Sequence, residues 1–118
     1  MDQRRYPRLP VRFQSSFSSV NRIGGDGNIV DLSLRGCGIV SSTAVHTGTT
    51  LELHIHLPDH EVPLIIQQGV VRWCRDGRIG LEFLSLQLNE WTLLQSIVKE
   101  LTRQPYERTD DAQNGTGT

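Results

Sequence analysis

The sequence has little of what would place it in a specialised class. Its 118 residues include only two cysteines, Cys37 and Cys74, far apart and each bordered by strand-like residues. That spacing excludes a disulfide-dense scaffold and a zinc ribbon, and both thiols read as reduced groups in or near the core. No apolar run approaches the roughly 20 residues that span a bilayer as a helix, so membrane insertion is not expected and the cytoplasm is the default location. Aromatic residues number only seven (three Phe, two Trp, two Tyr), too few for the exposed stacking platforms of a single-strand-binding protein. Charge of one sign is also missing: 12 Lys plus Arg face 13 Asp plus Glu, which gives no broad basic field for DNA or RNA. A nucleophile elbow, a Walker-type phosphate loop and a Cys/His pair with an orienting third group are all absent, so the chain reads as a non-enzyme. Glu52, His54 and His56 share one strand face without a further ligand, and neither a metal nor a cofactor is expected.

What is present is unevenly placed. Arg4, Arg5, Arg8 and Arg12 fall in the first twelve residues, opposed only by Asp2, which suits a local anion site. Pro7 and Pro10 disfavour helix before them, so residues 1–10 are expected to form a flexible arm. From Val11 the chain alternates, with Phe13, Ser15 and Phe17 on one face and Arg12, Gln14 and Ser16 on the other. Gly24 to Asn28 reads as a hairpin turn, and strand-like runs follow at 28–32, 37–41, 50–57, 64–74 and 78–83. Asp76-Gly77 is a second hairpin signal.

Six short strands at this spacing without intervening helices predict a mainly β protein, a six-stranded antiparallel barrel. One C-terminal helix is expected, with Asn89 as its cap, Glu90 in its first turn and Trp91, Leu94, Ile97, Val98 and Leu101 as its apolar stripe. The folded unit is then 11–103, followed by a polar, disordered tail over 104–118.

Two segments carry the chemistry: Arg4-Arg5-Tyr6-Pro7-Arg8 and Asp31-Leu32-Ser33-Leu34-Arg35-Gly36. In this order they resemble the RxxxR and [D/N]xSxxG motifs of the PilZ domain family. The runs Gly69 to Trp73 and Asp76 to Phe83 are similar to that family's closing hairpin, so the resemblance covers about residues 4 to 101. It implies a barrel that receives the bacterial second messenger cyclic di-GMP. Arg4, Arg5, Arg8, Asp31, Ser33 and Gly36 would be its ligand residues, with Trp73 as a stacking or packing face beside them.

The residue chemistry agrees with such a ligand. A guanidinium fork pairs with phosphate oxygens or with the guanine O6/N7 edge, and a carboxylate such as Asp31 accepts from the guanine N1–H and N2–H donors. Ser33 offers a hydroxyl at a phosphate or base edge, and Gly36 removes a side chain where a ligand approaches the backbone. The expected mechanism is that the dinucleotide orders the arginine arm against the barrel and changes a surface read by a downstream protein partner. Two alternatives belong to other classes: a barrel of this kind that has lost its ligand and acts as a protein adaptor, and an oligonucleotide-binding small barrel. As a competing local reading, an Asp-x-Ser turn often bonds only its own backbone, and a strand tryptophan is often core.

Overall fold

The structure, a computed structural model, describes residues 7–19 and 24–110, with 104–110 as backbone only. The strands are β1 (Leu9–Ser18), β2 (Gly24–Leu32), β3 (Gly36–Val40), β4 (Thr50–His56), β5 (Leu64–Arg75) and β6 (Arg78–Ser85). They close into a barrel in the order β1-β2-β3-β6-β5-β4, every neighbouring pair antiparallel. Closure comes from β1, which pairs with β2 on one side and β4 on the other, so that Phe17 lies between Gly25 and Leu53. A sheet closed in this way leaves no unpaired edge. The expected six-stranded antiparallel barrel with one C-terminal helix is the observed fold.

Period-two alternation decides what fills the barrel. Leu51, Leu53 and Ile55 point inward and are buried, while Glu52 and His56 between and beyond them are exposed. Ile29, Leu32, Ile39, Leu64, Ile66, Val71 and Leu81 complete a core of aliphatic side chains. One end is covered by α1 (Leu88–Asp110), which packs against β5 and β1 and drives the fully buried Leu94 into the core. Glu90 on its first turn accepts a hydrogen bond from the Ile65 backbone N–H at 2.9 Å, tying the helix start to β5.

Several boundaries differ from the expectation. β1 begins at Leu9, two residues before the alternation starting at Val11, because Leu9 and Pro10 pair with Leu32 and Asp31. The glycines of 24–28 lie within β2, opposite Ser18 to Gln14, and do not form the turn. They serve close approach: a side chain at Gly25 would strike Thr43, and one at Gly27 would meet the Val40 carbonyl. The first helical bond runs from the Trp91 N–H to the Gln87 carbonyl, which makes Gln87 the cap and puts Asn89 inside the first turn. The helix also continues past Pro105 to Asp110; proline keeps a helical φ and gives up one backbone donor there. Asp76 and Gly77, at φ 53° and 80°, form the β5–β6 turn as expected, since a two-residue hairpin of type I′ needs positive φ at both positions.

Leu94→Ala removes the one helix side chain that is completely buried among the described residues, and should cost about 2–5 kcal/mol. Urea unfolding would show it as a lowered midpoint with little change in slope.

Candidate functional site

Two β-bulges build the site. In β2, Ile29 pairs with Ile39 and Asp31 with Gly38, so Val30 is an extra residue opposite a single step of β3. Ile29 and Leu32 both face the core, three positions apart, and the insertion between them turns Asp31 to the outside. In β5, Val71 pairs with Leu81 and Trp73 with Gly80, which makes Arg72 the extra residue. Uninterrupted alternation from the buried Val71 would have aimed Trp73 at the core; the bulge places it outside, 46% exposed.

The two outward-turned residues lie on one lateral row of the sheet. Pro10 pairs with Asp31, Asp31 with Gly38, Gly38 with Gly80, and Gly80 with Trp73. Asp31 and Trp73 thus stand three strand intervals apart, about 14 Å between their backbones. Both side chains lean over the glycines between them. A methyl group on Gly38 would lie 2.7 Å from Asp31 Oδ2, and one on Gly80 would collide with the Trp73 indole. The result is a shallow surface with a backbone floor, a carboxylate at one end and an exposed indole at the other.

Arg8 reaches the carboxylate end. Its Nη1 donates to Asp31 Oδ1 at 2.8 Å, both side chains being partly buried. Ser33 is buried and its hydroxyl works within the turn: Oγ accepts from the N–H groups of Arg35 (3.1 Å) and Gly36 (3.2 Å) and donates to the Gly36 carbonyl (3.3 Å). The Ser33 N–H adds a bond to the same carbonyl, and the Phe83 N–H of β6 donates to the Arg35 carbonyl at 2.8 Å. Gly36 also has a packing reason, since a side chain there would run into the Leu81 carbonyl of β6. Asp31, Arg8 and Trp73 therefore flank the floor, whereas Ser33 and Gly36 shape and anchor the turn beside it. Arg4 and Arg5 lie outside the described residues.

The surroundings are cationic. Arg72 and Arg35 both bond Glu82, through Nε to Oε1 at 2.6 Å and Nη2 to Oε2 at 3.5 Å. Arg75 and Arg78 face each other across the hairpin. The hydrogen bond from Arg72 is the main reason that the Glu82 carboxyl is held below its ordinary range, with the charges of both guanidiniums adding to it. Beneath the site, burial drives the Cys37 thiol far up, and the Asp31 charge adds to the effect. Such a thiol is inert. Cys74, expected in or near the core, is instead exposed, and it donates from Sγ to the Val45 carbonyl at 3.3 Å.

The sequence reading did not single out Gly38, Gly80, Arg35 or Glu82. The available signal was two glycines at i and i+2, Gly36 and Gly38, on the outward face of one strand. Its meaning depends on what the neighbouring strands carry.

Gly80→Ala should push the indole off the floor, and a tryptophan emission shift with easier iodide quenching would report it. For Glu82, a folded pKa below the ordinary 4.5 means that its contribution to stability is complete above that value and disappears as pH falls through the lower folded value. Glu82→Gln should accordingly flatten this part of the acid-unfolding curve.

Among curated proteins none matches the chain. Among solved structures, YcgR of Escherichia coli in complex with c-di-GMP is 18% identical with a TM-score of 0.72, covering 95% of this chain and 51% of its own. The PilZ domain of CeSA from a cellulose-synthesizing bacterium is 17% identical with a TM-score of 0.66, covering 82% of this chain and 99% of its own. The Bacillus subtilis inhibitor of motility MotI/DgrA is 19% identical with a TM-score of 0.68, covering 91% and 53%. This chain thus spans about half the length of the YcgR and MotI structures. At these identities the likeness is one of fold. The family model described as PilZ domain matches residues 2–100, all six described strands and the first part of the helix, and the chain belongs to the PilZ domain family.

Proposed function

We propose that this chain is a cytoplasmic receptor for cyclic di-GMP that acts by binding and not by catalysis. The observation that carries the reading is the row Asp31-Gly38-Gly80-Trp73 with Arg8 at its acidic end. A purine dinucleotide needs what this row offers: an acceptor for guanine N–H donors, guanidinium forks for O6/N7 and phosphate, and an aromatic face. The complex of YcgR with c-di-GMP, on the same fold, supports the same ligand here.

In this mechanism Asp31 reads a guanine Watson–Crick edge and Trp73 lies against the ligand from the far end of the floor. Arg8 contributes a fork to the base or phosphate, together with Arg4 and Arg5 from the preceding arm. Ser33 and Gly36 act by holding the turn that carries Asp31. The Arg8–Asp31 pair occupies one carboxylate oxygen, Oδ1, and is a small obstacle: a partly exposed pair contributes about 1 kcal/mol or less, against about 8 kcal/mol for micromolar binding. Binding draws the arm across the barrel, and the altered surface is what a downstream protein partner reads. The ordering of the arm lowers the net affinity, so the signal depends on how much better the closed arrangement binds than the open one.

Calorimetric titrations with cyclic di-GMP, GTP and cyclic GMP side by side test the reading. Saturable heat is expected with cyclic di-GMP alone, and Arg8→Ala and Asp31→Ala should each weaken binding by roughly tenfold to hundredfold through loss of a charge-assisted contact. Thermal melts of both variants separate lost contacts from lost folding. Wild-type affinity in either folded variant would remove the site assignment, and no heat with the wild-type protein at tens of micromolar would favour a ligandless adaptor.

A further inference from the structure

Glu82 stands on the outward face of β6, two residues from the floor glycine Gly80, paired across the sheet with Gly36 and Val70. Its two oxygens are taken by different cations from opposite sides. Arg72 comes from the bulge that turns Trp73 outward and holds Oε1 at 2.6 Å; Arg35 comes from the Asp31–Gly36 turn and reaches Oε2 at 3.5 Å. The three side chains carry one net positive charge. Both guanidiniums are more than half exposed, 56% and 57%, so the cluster contributes little to stability. Arg72 is engaged through Nε, which leaves its terminal nitrogens unused by Glu82.

We infer that Arg35 and Arg72 form an anion subsite for one phosphodiester group of the ligand, and that Glu82 is its resident competitor. The inference rests on the cyclic di-GMP reading and adds to it two cations outside the arginine arm. Both flank the strip beside the glycine floor, where a ligand held between Asp31 and Trp73 presents its charged backbone. A phosphodiester carries the same single negative charge and the same two anionic oxygens as a carboxylate, so it can take over the guanidinium bonds that Glu82 makes. Glu82 keeps the two like charges together before the ligand arrives. The same carboxylate then lowers affinity, since phosphate binding becomes an exchange of one anion for another.

The test is titration of the full chain with cyclic di-GMP at fixed salt, comparing wild type, Glu82→Gln, Arg72→Ala and Arg35→Ala/Arg72→Ala, the last with and without Glu82→Gln. Removing the competing charge should tighten binding roughly threefold to tenfold and steepen its salt dependence. Arg72→Ala should weaken binding by roughly the same factor. With both arginines absent, Glu82→Gln should change affinity by less than about twofold, since a distant charge acts only through a screened field. Normal wild-type binding with an unchanged or weaker Glu82→Gln overturns this inference alone. A gain that persists without the two arginines also overturns it, as a general charge effect. Failure of the wild type to bind removes the receptor reading as well.

Discussion

Two inserted residues, Val30 in β2 and Arg72 in β5, determine which face of the barrel wall carries the chemistry. In a pleated strand a shift of one position exchanges the inner and outer faces. Without the insertion at Val30, alternation from Ile29 would aim the Asp31 carboxylate at the core that holds Leu32, where an unpaired charge costs several kcal/mol. Without the one at Arg72, a large indole would enter a closed aliphatic interior. Each bulge keeps the core regular on one side of itself and delivers a functional side chain on the other. The registers of β3 and β6 then bring both onto the same row.

The glycines of that row follow from the same geometry. Asp31 and Trp73 can lean toward each other only because Gly38 and Gly80 leave the floor bare, and Gly36 allows β3 to lie close to the β6 backbone. Ser33 contributes by consuming its hydroxyl inside the turn, beside the Asp31 carboxylate that leans over the floor. The proposed recognition by Asp31 and the construction by Ser33 and Gly36 thus stand close together in one short motif.

The electrostatics depend on position more than on total charge. A chain with a net charge of −1 still gathers Arg8, Arg35, Arg72, Arg75 and Arg78 along or beside one face. The ion pairs they make with Asp31 and Glu82 are partly or largely exposed and stabilise the fold only slightly. In the proposed receptor their consequence would be a field that attracts an anion to the glycine floor.

The sequence alone determined the strand number, the hairpin at Asp76-Gly77, the helix stripe from Trp91 to Leu101 and the motif pair that marks the family. The strands, the hairpin and the stripe rest on local periodicity and turn chemistry, and the motif pair on its resemblance to the family, all of which a linear reading captures. It placed Asp31 and Arg8 in one site, and the structure joins them at 2.8 Å. Only the tertiary structure decided that Gly24 to Asn28 belong to a strand, that Trp73 faces outward, that Ser33 and Gly36 build the turn, and that Glu82 links Arg35 to Arg72. Bulges and cross-strand neighbours are properties of pairing between distant segments, and one strand carries no record of which residue its partner will set beside it.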